Sequence, residues 1–342
     1  MNRQKICAIV VTFNRKKLLL ECLESLKKQT RPLDAIYIID NASTDQTTQL
    51  LLDKNYITEL PPNLNENWEK NSIVKNLTNG NDLKIHYMRI YKNTGGAGGF
   101  YEGVKKAYND GYDWLWLMDD DTEPEENSLK VLCKYFDKNI SALASIVKGT
   151  DNSIHVHHRG YFNFDKGIPF QKVISKSDYK KDKTEIDMAA FLGLLVSKES
   201  INKIGFPKKE FFIHADDLEY CIRLRKVGKI LLISNSIITH KEQIKNVSIQ
   251  KTFLGKKSLR KPYNNFWISY YIIRNMSYIG KKYTKNRKSL YIDILKHYLK
   301  NVINIMLFDD HKYKRLVFIT NAYLDGLSSN FDNTKPKKIL YK

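Results

Sequence analysis

A chain of 342 residues, 42% hydrophobic and 27% charged, has ordinary globular composition and the length to bury a large core, as one extended domain or two. No apolar run approaches the ~18 residues that span a bilayer. Met1 to Phe13 lacks a small-residue cleavage site before Asn14, Arg15, Lys16 and Lys17, so no signal peptide is expected. Cys7, Cys22, Cys133 and Cys221 form no CxxC pair, which argues against a disulfide framework or a zinc site and suits a reducing cytosol. The net charge of +20 is concentrated late: residues 251–342 hold 20 Lys or Arg against 5 Asp or Glu. Such a tail suits nucleic acid, an anionic membrane surface or phosphorylated ligands, with plain solubility as the alternative.

In chain order, Ile6 to Phe13 reads as a strand, Lys16 to Gln29 as a helix, Ala35 to Asp40 as a strand and Gln46 to Asp53 as a helix. Lys54 to Asp82, rich in Asn, Pro and Glu, reads as an insertion or long loop. Lys84 to Arg89, Phe100 to Asp110 and Trp114 to Met118 continue as strand, helix and strand. This alternation predicts an α/β fold with a mostly parallel sheet between helices, whose ligands gather at the carboxyl ends of the strands. Glu185 to Val196 reads as a further strand, Lys198 to Lys203 and Asp217 to Val227 as helices, and Ile230 to Ser234 and Ile237 to His240 as short strands. Beyond about Phe253 the pattern is helical. Two apolar stripes there are expected to pack as core: Ile292, Leu295, Leu299, Val302, Ile303 and Met306, and Leu316, Ile319, Tyr323 and Leu327.

The most informative feature is Asp119, Asp120 and Asp121 at the end of the apolar run from Trp114. Alternation along an extended backbone puts Asp119 and Asp121 on one side and Asp120 on the other. Adjacent carboxylates repel, and a divalent cation relieves the repulsion; all-oxygen ligands suit Mg²⁺ or Mn²⁺ alongside substrate phosphates. The bland alternative is a solvated acidic turn. Every other conspicuous residue of the first half also follows a strand: Thr12, Phe13, Asn14 and Arg15, then Asp40 and Asn41, then Asn93 to Gly99. The last of these holds Gly95, Gly96, Gly98 and Gly99, which let a ligand approach the backbone ahead of a helix start. It is neither a dinucleotide fingerprint nor a P-loop. Asp40 suits a base or ribose contact, with an N-cap role as its alternative.

His214, Ala215, Asp216 and Asp217 place two carboxylates at a helix start, suited to general-base work or to plain dipole compensation. His240 closes an apolar strand, where a satisfied structural histidine is the commoner case. His155, Val156, His157 and His158 form another possible ligand cluster, but no partner acid is evident in the sequence, and a surface loop is expected.

Together, in this order, Val10 to Arg15, Ile39 to Asp45, Asn93 to Phe100, Trp116 to Asp121, Asp216 to Tyr220 and His240 resemble the family 2 glycosyltransferases, most closely their galactofuranosyltransferase-like branch. The resemblance covers about residues 5 to 245. It implies a GT-A-type nucleotide-diphosphosugar transferase fold in residues 1–250, with a basic helical region in 251–342. Carried over, Asp119, Asp121 and His240 hold Mn²⁺ or Mg²⁺. Thr12, Phe13, Arg15, Asp40, Asn41, Asn93, Gly95, Gly96 and Asp120 lie on the donor side. Asp217 is the catalytic base, with Asp216 toward the acceptor. The family often has a Trp just ahead of this acidic pair; Ala215 and His214 stand there in this chain.

The implied reaction is inverting, metal-dependent transfer of a sugar, with UDP-galactofuranose as first donor and a dTDP- or UDP-linked hexose such as rhamnose as rival. The acceptor is a polysaccharide or lipid-linked glycan, met at the inner face of a membrane by a cytoplasmic, peripheral enzyme. A sugar nucleotidyltransferase would need a basic glycine-rich loop after the first strand, and Thr12 to Arg15 is not one. A nucleic-acid-binding protein would fit the basic tail but not the aspartates, and no recognition motif is present.

Overall fold

The structure, a computed structural model, describes residues 3–164, 167–169, 171–241 and 248–341. It divides into two compact units: Met1–Tyr161, Val173–Lys209 and Asp217–Glu242 form the first, and Phe162–Lys172, Glu210–Asp216 and Gln243–Lys342 the second.

In the first unit the strands are β1 (Ile6–Thr12), β2 (Ala35–Asp40), β3 (Trp68–Lys75), β4 (Asp82–Arg89), β5 (Trp114–Asp119), β6 (Thr122–Pro124) and β7 (Ile140–Lys148). Then come β8 (Arg159–Phe162), β9 (Gln171–Val173, most of which belongs to the second unit), β10 (Lys183–Ile186), β11 (Met188–Ala189), β12 (Leu194–Ser197) and β13 (Lys229–His240). The main sheet runs β10-β13-β7-β12-β5-β1-β2-β4-β3, with β6 beside β13. β5, β1, β2 and β4 are mutually parallel, while β12 is antiparallel to both β5 and β7 and β3 is antiparallel to β4. β1 and β2 are buried along their whole length, as expected of apolar strands covered on both faces. The helices are α1 (Lys16–Lys27), α2 (Thr47–Asp53), α3 (Gly95–Asn109), α4 (Ser128–Cys133), α5 (Lys198–Ile204) and α6 (Asp216–Leu224).

Four readings change. The expected long loop 54–82 contains β3, whose alternating exposure and position at the sheet edge explain its polar composition. The glycine-rich segment is the first turn of α3 and not a loop ahead of it. Its Gly99 lies so close to β1 that a Cβ would stand 2.5 Å from Val11, and Gly103 likewise would meet Ile9 at 2.6 Å. Close packing of α3 on the sheet thus requires these glycines, whereas the space at Gly96 is open. The expected strand 185–196 is three short pieces, β10, β11 and β12. The two short strands before His240 are one, β13, with a register shift between Ile233 and Ile237 against β7.

The last segment of the second unit holds a hairpin, β14 (Ile249–Phe253) paired with β15 (Lys256–Arg260), and β15 stands where helix was expected. Four helices follow: α7 (Ile268–Tyr283), α8 (Arg287–Phe308), α9 (Lys312–Ser328) and α10 (Lys335–Tyr341). Phe266, Tyr270, Ile305, Phe318, Ile319, Ala322 and Leu340 form their core. The α9 stripe packs as expected, with Ile319 and Tyr323 buried. Most of the α8 stripe does not. Val302 packs against this core, but Ile292 (52%), Leu295 (57%), Leu299, Ile303 and Met306 are exposed, because α8 packs mainly through the opposite side, Leu290, Ile294 and Ile305. Among the described residues no helix is long and apolar enough to cross a membrane.

Candidate functional site

The site grows from the carboxyl ends of β1, β2, β4 and β5, as the parallel topology requires. Asp40 ends β2 fully buried, its carboxylate accepting from the Ser43 amide at 2.8 Å and the Tyr87 hydroxyl at 2.7 Å. Asn41 ties this turn to the α3 start: its Oδ1 accepts from the Thr94 amide at 2.9 Å and its Nδ2 donates to the Gly95 carbonyl at 2.8 Å and to Asn93 Oδ1 at 3.2 Å. Asn93 Oδ1 also accepts from the Gly95 amide at 2.8 Å. Asp45, rather than Asp40, serves the helix starts, accepting from the amides of Lys16 at 3.1 Å and Thr47 at 3.2 Å. Asn14, Ala42 and Gln46 adopt left-handed backbone conformations, unusual for residues other than glycine, and mark this as a tightly determined set of loops. Phe13 is exposed beside it.

At the end of β5 the alternation expected of the three aspartates stops at Asp119, because Asp120 and Asp121 form a turn before β6. Asp120 and Asp121 therefore converge on one guanidinium. Arg15 Nη1 stands 2.6 Å from Asp121 Oδ2 and 3.3 Å from Asp120 Oδ1, and the Thr12 hydroxyl donates to Asp120 Oδ2 at 2.7 Å. Both carboxylates are buried, at 2% and 4% exposure. Burial raises Asp120 to about 6, only partly offset by Arg15 and Thr12. For Asp121 burial acts in the same direction, but His240 and Arg15 outweigh it and the net shift is downward. Burial disfavours the Arg15 cation, yet Asp120, Asp121 and Asp119 together hold its pKa up.

His240 reaches this cluster because β13 pairs antiparallel with β6, setting His240 opposite Thr122, and the Lys241 amide donates to the Asp121 carbonyl at 2.8 Å. Its Nε2 lies 3.3 Å from Asp121 Oδ1. That approach lacks hydrogen-bond alignment: Asp121 Oδ1 and His240 Nδ1 are both buried with no hydrogen-bond partner. Two buried, orphaned ligand atoms among carboxylates are what a divalent cation site presents. The expected surface loop is corrected here. The segment after β7 folds back, with the His155 amide donating to the Val147 carbonyl at 2.9 Å. His155 and His158 consequently stack edge-on to His240, at ring separations of 5.8 and 5.1 Å. Burial, with Arg159 and His240 nearby, lowers His158 to about 3 and keeps it neutral.

Asp217, on the first turn of α6, accepts from the Leu218 amide at 2.7 Å. Burial raises it to about 6, and the Leu218 hydrogen bond and the charge of Arg159 hold it back from rising further. Arg159 is fully buried and donates to the carbonyls of Ser145 (2.9 Å), His158 (2.8 Å) and Leu192 (2.7 Å), so it links the His158 segment to the field around Asp217. Sequence reasoning missed it, because a lone Arg at a strand start gives no sign of burial.

In the second unit the turn leading along the chain into Asp216 is strained: Phe212, His214 and Ala215 all have positive φ. Sequence reasoning also missed what holds it. Asn275 Nδ2 donates to the carbonyls of Phe211 (3.1 Å), Ile213 (3.1 Å) and His214 (2.8 Å), and Arg274 Nη2 to those of Glu210 (3.1 Å) and Phe211 (3.0 Å). Replacing Asn275 by Ala takes their side-chain donor from the Ile213 and His214 carbonyls, while Phe211 keeps Arg274, with an expected loss of about 1–3 kcal/mol of stability. Urea unfolding followed by circular dichroism measures it; an unchanged midpoint would show the turn to be held without Asn275.

The family model described as Glycosyl transferase family 2 matches residues 7–57 and 70–205. Galactofuranosyltransferase GlfT1 of Mycolicibacterium smegmatis is 24% identical over 230 residues, 65% of this chain and 66% of that protein. The chain thus spans slightly less than two thirds of that relative's length. Among solved structures, S. aureus TarS 1–349 in complex with UDP-GlcNAc superposes with a TM-score of 0.54 at 15% identity, over 99% of this chain and 87% of that one. GalNAc-T7 with UDP, GalNAc and Mn²⁺ gives 0.56 at 12% identity, over 99% and 58%. These likenesses show the GT-A-type fold. The two matched segments take in the β1, β2 and β5 ends and exceed half of the chain, and a match of that extent makes it a member of glycosyltransferase family 2.

Proposed function

We propose that the protein is an inverting, metal-dependent glycosyltransferase that moves galactofuranose from UDP-galactofuranose onto a polysaccharide or lipid-linked glycan. The observation that supports it most is the convergence of Asp120, Asp121, Arg15 and His240 at the carboxyl ends of the strands, inside a family of nucleotide-sugar enzymes. The name of the relatives favours galactofuranose. Asp119, Asp121 and His240 would hold Mn²⁺ or Mg²⁺, and the bound ion would offset charge developing on the departing diphosphate. Arg15 supplies a second positive charge at the same place. Asp40, Asn41, Asn93, Gly95 and the open backbone at Gly96 form the nucleotide side, and Thr12 fixes Asp120. Asp217 takes the proton of the acceptor hydroxyl on the face opposite the leaving group, and Asp216 orients the acceptor. Residues 1–250 form the catalytic part and 251–342 the membrane-facing part.

The test is a panel of nucleotide sugars with Mn²⁺, scored by release of free nucleoside diphosphate. UDP-galactofuranose is expected to react fastest; preference for dTDP-rhamnose would replace the donor, and no release from any sugar would overturn the reading. For the membrane, the exposed α8 stripe lies among Lys288, Lys296 and Lys300, the composition of an interfacial helix on anionic lipid. An acceptor presented at a cytoplasmic leaflet fits that face.

A further inference from the structure

In the sequence the imidazoles of the 155–158 segment are a possible ligand cluster set aside in favour of a surface loop, and the donor-side reading uses only His240. The fold nevertheless brings nitrogens of His155, His158 and His240 within 4.8 Å of one another. They arrive from two separate places, the fold-back after β7 and the end of β13, and the same His240 lies 3.3 Å from Asp121. The fold-back is tight around His155: a Cβ on Gly149 would stand 2.5 Å from His155 Nε2 and 2.7 Å from Asp151 Oδ1, so any larger residue there crowds the ring together with that carboxylate.

We propose that His155 and His158 are further ligands of the divalent ion, so that it is held by an imidazole cluster together with Asp121 and not by carboxylates and one histidine alone. This rests on the metal-dependent reading above. His240 Nδ1 and Asp121 Oδ1 are both buried without a hydrogen-bond partner and so retain the capacity to bind an ion. Ligand atoms sharing one ion stand roughly 3–3.5 Å apart, so the ring nitrogens, now within 4.8 Å, would have to draw together by up to about 1.5 Å. Imidazole favours ions late in the first transition row, and carboxylate and water favour Mg²⁺. The site therefore discriminates against Mg²⁺, and the affinity order runs Mg²⁺ below Mn²⁺ below Co²⁺.

The test is calorimetric titration of the metal-stripped full chain with each of these ions alone, and the visible absorption of the Co²⁺ form. One equivalent of Co²⁺ is expected, with ligand-field bands that change in His155→Gln and His158→Gln. Affinity in each variant is expected to fall by more than about 100-fold, the upper end for losing a merely supporting partner. Gly149→Ala, which leaves every candidate ligand in place, is expected to weaken binding through the crowded His155 ring. Unaltered stripped-protein melting temperatures in the Gln variants establish that they fold. Co²⁺ bound by both variants with wild-type affinity and spectrum would overturn this proposal and leave the metal-dependent reading standing. No binding of any ion by the wild type, with or without UDP, would overturn both, and nucleotide release in EDTA would then show transfer without metal.

Discussion

Asp217→Asn is expected to lower turnover by ~10²-fold or more while donor binding survives, because the amide keeps the shape of the carboxylate and loses its basicity. The structure adds a pH signature. Burial raises Asp217 to about 6, and a base acts only when unprotonated, so wild-type kcat/KM falls as pH drops through about 6. The sign for stability is the reverse. Between the ordinary carboxylate value of 3.8 and about 6 the folded chain holds this proton and the unfolded chain does not, so the group's contribution to stability declines as pH rises across that window. Asp217→Asn should abolish both dependences and should not destabilise the protein at neutral pH. Product formation and thermal melting, each across pH 4–8, measure them. Wild-type turnover in Asp217→Asn, with Asp216→Asn inactive, would move the base to Asp216.

Asp121→Ala is the second large effect. It removes a proposed ion ligand and a 2.6 Å partner of Arg15, but almost no core volume. Since a divalent ion contributes several kcal/mol to stabilising a charged leaving group, turnover is expected to fall by ~10³-fold or more with the circular dichroism spectrum unchanged. Arg15 keeps Asp120 as a partner, so the loops around it should hold. The same loss is expected for the wild type in EDTA, with recovery on adding Mn²⁺. Full activity of either would remove the ion from the reaction.

A simpler expectation concerns the tail. With the α8 stripe exposed, the basic charge of 251–342 no longer acts alone. Co-sedimentation with phosphatidylglycerol vesicles should therefore persist partly at high salt, and Leu295→Asp should make it fully salt-sensitive. Equal binding to neutral and anionic vesicles would remove the electrostatic part.

The sequence by itself determined the α/β class and the family, and it grouped the residues at the strand ends. Those features are local: apolar runs such as Ile6 to Thr12 are long enough to be read as buried strands, and in a parallel sheet every strand end falls on one edge. Thr12, Arg15, Asp40, Asn41, Asn93 and the three aspartates could therefore be grouped without knowing which strand neighbours which. Tertiary structure alone decided the rest. The edge strand β3 was hidden because one polar face dilutes its pattern. The exposed α8 stripe was hidden because 3.6-residue periodicity marks an apolar face without saying whether anything covers it. The turn at Asp120 and Asp121 broke an alternation that holds only while the backbone stays extended. His155 and His158 meet His240, some 80 residues further along, only through the local fold-back after β7 and the pairing of β13 with β6, strands almost 120 residues apart along the chain. Residue spacing records local geometry, and such long-range pairings are fixed by the packing of whole strands, which leaves no mark at the residues they bring together.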